Sequence, residues 1–356
     1  CAGPLVPLPT RGRYGCAHPS EGVGMTSPLM DIRGLTKTFS LPGGPLRRLT
    51  GRGPRKLTAL NDVSLQIHEG EILSIVGESG SGKTTLGRAL LRLEEPTAGE
   101  VDFRGQDLLK LSHVPLLAAR RELQMIFQDP WSSLNPRLSI RQTLAEVLYV
   151  HGIATGARAQ ARIAELLNLV GLPPEAADRY PRHFSGGQRQ RIGIARALAV
   201  APSFLVADEP VSAVDVSVQA QIMNLLIDLR ARLGLTMLII AHDLSVVRYI
   251  SDRVGVMYFG RIVEMATSDR IFSSPRHPYS QGLLRAAPRP DPSRLSTTVA
   301  IHGEPPSPLN PPKGCAFHTR CPWADARCRT ETPALTELHS DHTVACHNHD
   351  QTTEFT

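Results

Sequence analysis

The chain has 356 residues, of which 41% are hydrophobic and 20% charged, a balance that excludes a disordered polypeptide and allows a large buried core. No stretch approaches the roughly 18 uninterrupted apolar residues needed to cross a bilayer; the best runs, Ile72–Val76 and Met237–Ala241, have the length of strands, so a membrane role is expected to come through a partner. The net charge of +6 is lopsided: residues 1–56 carry nine Lys or Arg against Glu21 and Asp31. Such a segment could touch anionic lipid or nucleic acid, but a solvated basic loop is the favoured reading, and charge alone decides nothing.

Residues 1–24 open on Cys1, precede the first methionine, Met25, and lack the apolar core of a signal peptide. We expect residues 1–28 to form a disordered arm or to lie upstream of the natural start. Met30–Phe39 reads as a strand, and the Gly- and Pro-punctuated segment Leu41–Lys56 as a loop insertion. Leu57–Ile67 resumes a strand pattern. Glu71–Val76 is a short apolar strand running into a glycine-rich turn, and Lys83–Leu93 has helical character.

From 108 to 200 the pattern is mostly helical. Phe204–Ala207 is a buried strand, and the spacing of Val218, Ile222, Leu225, Leu226, Leu229 and Leu233 predicts a helix. Leu235–Ile240 is again a strand, and Arg253–Glu264 a hairpin turning at Phe259-Gly260. This alternation implies an α/β fold with a parallel-sheet core. The stretch Pro288–Pro312 carries eight prolines and reads as a linker. The expected organisation is a catalytic domain over 29–285, with a helical subdomain at about 108–200, then a linker and small cysteine-bearing module over 286–356.

Gly77-Glu78-Ser79-Gly80-Ser81-Gly82-Lys83-Thr84 matches the P-loop pattern G-x-x-x-x-G-K-[ST] and lies between a predicted strand and a predicted helix. Phosphate oxygens need converging backbone N–H groups, which glycines allow and a helix N-terminus reinforces. Lys83 then supplies a point charge to the β- and γ-phosphates and Thr84 a hydroxyl to Mg²⁺, with Thr85 next in the same turn. Further on, Phe204-Leu205-Val206-Ala207-Asp208-Glu209 is an apolar strand ending in two carboxylates. In a P-loop protein, Asp208 is placed to hold Mg²⁺ and Glu209 to polarise the attacking water. Alone, such an acidic pair is more often a solvated turn.

His183-Phe184-Ser185-Gly186-Gly187-Gln188 resembles the L-S-G-G-Q signature of the ABC ATPases, with Phe in place of Leu. An N-capped helix explains Ser185 but not the residues after it. The resemblance implies a P-loop NTPase cassette with an antiparallel β subdomain and a helical subdomain. Two cassettes pair head to tail around ATP, and the Ser185, Gly186, Gly187 and Gln188 of one complete the site of the other. It further assigns Phe39 to the adenine, Gln128 to Mg²⁺ and the membrane partner, Asp215 to the D-loop and His242 to the γ-phosphate. As plain residues, Phe39 is a strand-end core aromatic and His242 a structural histidine.

Gln128-Asp129-Pro130-Trp131-Ser132-Ser133-Leu134-Asn135-Pro136-Arg137, Ser274-Pro275-Arg276-His277-Pro278-Tyr279 and the Gly303–Pro312 segment are similar to the oligopeptide/dipeptide importer ATP-binding subunits. That likeness implies a second, distinct ATPase subunit, two membrane permeases and an external substrate-binding protein. The chain would lie peripherally on the cytoplasmic face of the inner membrane, with peptides as cargo. Nickel, glutathione or another small solute are the alternatives. A non-transport ATPase acting on nucleic acid is disfavoured, because such chains carry two cassettes or a long coiled-coil insertion.

Finally, no cysteine falls between Cys16 and Cys315, after which Cys315, Cys321, Cys328 and Cys346 follow closely. Such clustering points to a metal site rather than a disulfide framework. Four thiolates suit zinc or a 4Fe–4S cluster, and these gaps are longer than structural zinc favours. The family resemblance implies the cluster. His318, His342 and His347 leave mixed ligation open.

Overall fold

The computed structural model describes residues 27–41, 55–129, 133–212, 214–286 and 303–352. The expected arm before residue 27, the loop insertion at 42–54, Pro130–Ser132 of the Q-loop segment, Ala213 of the D-loop and the linker at 287–302 lie outside those residues. The described residues divide into two compact units that interleave along the chain: one takes 27–29, 67–71 and 111–237, the other 30–66, 72–110 and 238–352.

In the second of these, a four-stranded sheet runs in the order Arg55–Ile67, Met30–Leu41, Ala98–Phe103, Gln106–Asp107. Along Arg55–Ile67, Val63 and Leu65 are buried while Asp62, Ser64 and Gln66 face outward, the period-two pattern of a sheet wet on one face. Ala98–Phe103 pairs antiparallel with Met30–Leu41. Sequence pattern alone did not predict that strand or Gln106–Asp107. Its first three residues are exposed and only Val101 and Phe103 are buried, so too little apolar alternation marks it.

The other strands of this unit centre on Ile72–Val76. All five of its residues are buried, as expected of a strand covered on both faces. It pairs in parallel with Arg253–Tyr258, register Val76↔Val256. Arg253–Tyr258 continues antiparallel into Arg261–Thr267, then His342–Val344, then Thr336–His339. The predicted turn at Phe259-Gly260 is present. Both residues are left-handed, φ 49° and 78°, as a two-residue turn matched to strand twist requires.

The C-terminal hairpin is tied to this sheet through Glu264, which is fully buried. Its two oxygens accept the backbone N–H of Arg276 at 2.6 Å and of His277 at 2.9 Å, and His342 Nε2 lies 2.8 Å away. A buried carboxylate needs such a complete set of partners, because each missing one leaves an uncompensated desolvation cost.

The other unit is the mainly helical block. It holds helices His113–Glu122, Ile140–Val150, Gly156–Leu169, Gly186–Leu198 and Val216–Leu233. Val216–Leu233 spans the predicted helix and stops at Gly234, φ 66°. Within the stretch that reads as helical, Leu123–Ile126 is instead a strand, parallel to Phe204–Asp208. Four residues are too few for a helical and an extended period to be told apart.

Candidate functional site

The glycine loop is seated by its own backbone. Gly77 and Gly82 have φ of 156° and 107°, and a Cβ on either would collide with a main-chain carbonyl, of Met257 and Ala59 respectively. Those two glycines are required by protein packing before any phosphate arrives. Gly80, φ 78°, faces open space instead. Gly260 N–H, at the hairpin turn, donates to Ser81 O at 2.8 Å, and Gly260 O accepts from Asn61 N–H at 2.9 Å.

Lys83 is buried, and its ammonium donates to Gly77 O at 2.8 Å and Glu78 O at 2.9 Å, with Ser81 Oγ at 3.5 Å. Its charge therefore lies inside the curl of the loop. Gly82 is the N-cap of helix Lys83–Leu90 and has no side chain to occupy the N–H groups of the first turn, where Lys83, Thr84 and Thr85 stand. Ser79 is exposed, and Glu78 turns its carboxylate to Arg320. Elsewhere in this unit, Phe39 is half-buried with the Lys37 ammonium 4.8 Å from its ring centre. His242 is exposed just beyond strand Thr236–Ala241, where Asp243 caps the next helix through Ser245 N–H.

In the helical unit, strand register sets a second group. Ile126 pairs with Ala207, so continuing the register by two residues brings Gln128 opposite Glu209. Gln128 Nε2 indeed donates to Glu209 Oε2 at 2.8 Å. Asp208, at the strand tip, is 2% exposed. Glu209 adopts φ 44°, the left-handed region that costs a non-glycine residue about 1–2 kcal/mol. Ser212 donates to Glu209 O through both its N–H, at 3.2 Å, and its hydroxyl, at 3.1 Å, which stabilises the turn.

Ser185 caps helix Gly186–Leu198 in a reciprocal box: Gln188 N–H donates to Ser185 Oγ at 3.3 Å, and Ser185 N–H to Gln188 Oε1 at 3.1 Å. Gly187 lets the helix approach Val218, whose side chain a Cβ would strike. Local structure therefore accounts for Gln188 and Gly187 as well as for Ser185, more than capping alone was expected to explain. Gly186 begins the helix, and Asp215 is the exposed N-cap of helix Val216–Leu233.

Cys315, Cys321, Cys328 and Cys346 are all free thiols, and together they line one narrow cavity with His318, His347 and Asn348. Burial raises the pKa of each, to about 11 for Cys321 and about 12 for Cys346; charge on neighbouring thiols adds to the rise for Cys315, Cys321 and Cys346, and Asp325 for Cys328. The metal-free thiols are therefore protonated at neutral pH. Among the described residues no three His, Cys, Asp or Glu groups are placed to hold a metal ion, so neither the expected 4Fe–4S cluster nor zinc finds a preformed site. A single ion needs sulfurs within about 2.3 Å of one point. Mixed ligation through His342 is also corrected, because that residue does not line the cysteine cavity and its Nε2 faces Glu264 instead. His318 Nδ1 lies 2.8 Å from Cys315 O, and His347 Nε2 3.1 Å from Glu331 O.

Residues 60–212 match the ABC transporter family model, and residues 263–328 that of the oligopeptide/dipeptide transporter C-terminal region. A Brucella ovis protein provisionally named a peptide import ATP-binding protein is 51% identical over 320 residues, covering 90% of this chain and 98% of that one. The oligopeptide transport ATP-binding protein AppF of Bacillus subtilis is 47% identical over 322 residues, covering 90% and 97%. Among solved structures, the ATP-binding cassette MJ0796, in a dimeric post-hydrolysis state bound to ADP and Pi, aligns with TM-score 0.59 and 30% identity over 67% of this chain and 98% of that one. The chain belongs to the ABC transporter family, as one of its ATPase cassettes. The described residues contain no helix long and apolar enough to cross a membrane.

The left-handed backbone at Glu209 makes a prediction about stability alone. Alanine normally stabilises a folded chain relative to glycine, but at φ 44° the order reverses. In urea unfolding of the full chain, Glu209→Gly is expected to be more stable than Glu209→Ala by about 1 kcal/mol. An alanine variant that proves the more stable would show the backbone to be unstrained.

Proposed function

We propose that this chain is the ATP-hydrolysing subunit of a peptide importer. It works with a second, related but distinct cassette on two permeases, supplied by an external substrate-binding protein, at the cytoplasmic face of the membrane. The names of relatives about half identical over most of the chain support this reading, as does the match at residues 263–328.

The residue roles follow from chemistry. The loop Gly77–Gly82 and the helix start at Lys83, Thr84 and Thr85 would take the phosphates, with the Lys83 ammonium exchanging the loop carbonyls for the β- and γ-phosphates. Thr84, Asp208 and Gln128 would hold Mg²⁺. An amide that donates through Nε2 to Glu209 presents its carbonyl oxygen, the atom a hard cation takes. Glu209 would polarise the attacking water, Phe39 would carry the adenine, and His242 would contact the γ-phosphate. Ser185, Gly186, Gly187, Gln188 and Asp215 would serve the neighbouring cassette's nucleotide. The observation that carries the reading is the Gln128–Glu209 bond, since it holds a carboxylate at a strand end on a left-handed backbone.

A general base contributes about 10²–10⁴ in rate. Glu209→Gln in the assembled transporter should therefore lower kcat at least about 100-fold while ATP remains bound. Turnover within threefold of wild type would remove Glu209 from the reaction.

We infer further that the four cysteines hold a 4Fe–4S cluster rather than zinc. Four free thiols around one cavity support this. A cubane takes one thiolate on each of its irons, so the sulfurs need not converge on a point. The cluster would supply a structural staple. Chain purified without oxygen should contain iron and acid-labile sulfide in about equal amounts; stoichiometric zinc with no iron would reverse the assignment.

A further inference from the structure

Every hydrogen-bonding group of Glu78, the second residue of the glycine loop, is engaged. Its carbonyl accepts from Lys83 Nζ at 2.9 Å. Its N–H donates to the Tyr279 hydroxyl at 2.7 Å, although that residue lies 201 positions downstream and is fully buried. Its carboxylate is gripped on both oxygens by Arg320, 242 positions downstream, at 2.8 and 2.9 Å. The Arg320 side chain is only 6% exposed and that of Glu78 28%.

Arg320 is itself fixed. Its guanidinium lies 5.9 Å from the Tyr258 ring centre and 6.0 Å from that of Phe317, and Nη1 is 3.4 Å from the Tyr258 hydroxyl. Tyr258, Tyr279 and Phe317 pack against one another with centroids 4.6 to 5.5 Å apart. The next residue is Cys321, in the wall of the cysteine cavity. A two-pronged guanidinium held between aromatic rings fixes a carboxylate in place as well as neutralising it.

We propose that Arg320, assisted by Tyr279, is a positioning residue for ATP: it orients the glycine loop and cancels the Glu78 charge that would otherwise repel the triphosphate. By this link, the cysteine-bearing C-terminal segment is part of the nucleotide site. The proposal rests on the reading of the loop as an ATP cradle. An uncompensated carboxylate beside the triphosphate is expected to weaken binding about tenfold, which is about 1.4 kcal/mol.

The test is ATP affinity and steady-state kinetics of the full-length chain in its assembled transporter. Arg320→Ala should raise the Kd and KM for ATP about tenfold with kcat changed less than about threefold, and Arg320→Lys should recover part of the loss. A second change separates compensation of the Glu78 charge from loss of the clasp itself. In the Arg320→Ala background, Glu78→Gln removes the uncompensated charge and should return the Kd to within about threefold of wild type. Should Arg320→Ala not fold, Arg320→Gln, closer in size, carries the same expectations. An Arg320→Ala affinity within twofold of wild type, or a double variant as weak as the single, would overturn the proposal. A wild-type chain that takes up no ATP would overturn the cradle reading and this proposal with it.

Discussion

The buried ammonium of Lys83 is the constraint on which the nucleotide loop depends. A cation that is 6% exposed must be compensated, and here the carbonyls of Gly77 and Glu78 do so by curling around it. That curl is possible only because Gly77 and Gly82 press against main-chain carbonyls where no Cβ fits. The loop is thus preformed around a charge, so on the proposed reading a phosphate would have only to displace carbonyl oxygens from an ammonium already in place. Preorganisation of this kind avoids ordering the loop during binding.

A different device sets the carboxylate. Parallel register brings Gln128 beside Glu209, and the left-handed turn after the strand directs that glutamate. Strain of this sort persists only where surrounding contacts over-determine it, and Ser212 supplies two of them. The signature segment is more economical than its family pattern suggests. Ser185 and Gln188 close one helix end while Gly187 admits Val218, so the residues that would face a neighbouring cassette also build this one.

Much of this was legible in the chain itself. The glycine loop, the acidic strand end and the hairpin at Phe259-Gly260 are local patterns, and local patterns survive folding. The strand Leu123–Ile126 was not legible, being too short to show a period, nor was Ala98–Phe103, whose surface half is polar. The clasp of Arg320 on Glu78 leaves no sequence signal, because nothing in the spacing of two residues 242 apart says that they meet. Tyr279 stood out only within His277-Pro278-Tyr279, a family likeness that gave no hint of its bond to the loop. The double duty of Gln188 could have been read from the S-x-x-Q spacing, a capping-box pattern.

The central claim is that one ammonium holds the loop and then the phosphates. Removing it by Lys83→Ala and titrating the full chain with ATP and Mg²⁺ tests this most directly. The account predicts a loss of affinity of at least about 100-fold, the scale of a buried charge-assisted contact worth about 3 kcal/mol. Nucleotide bound by the alanine variant as tightly as by wild type would contradict it.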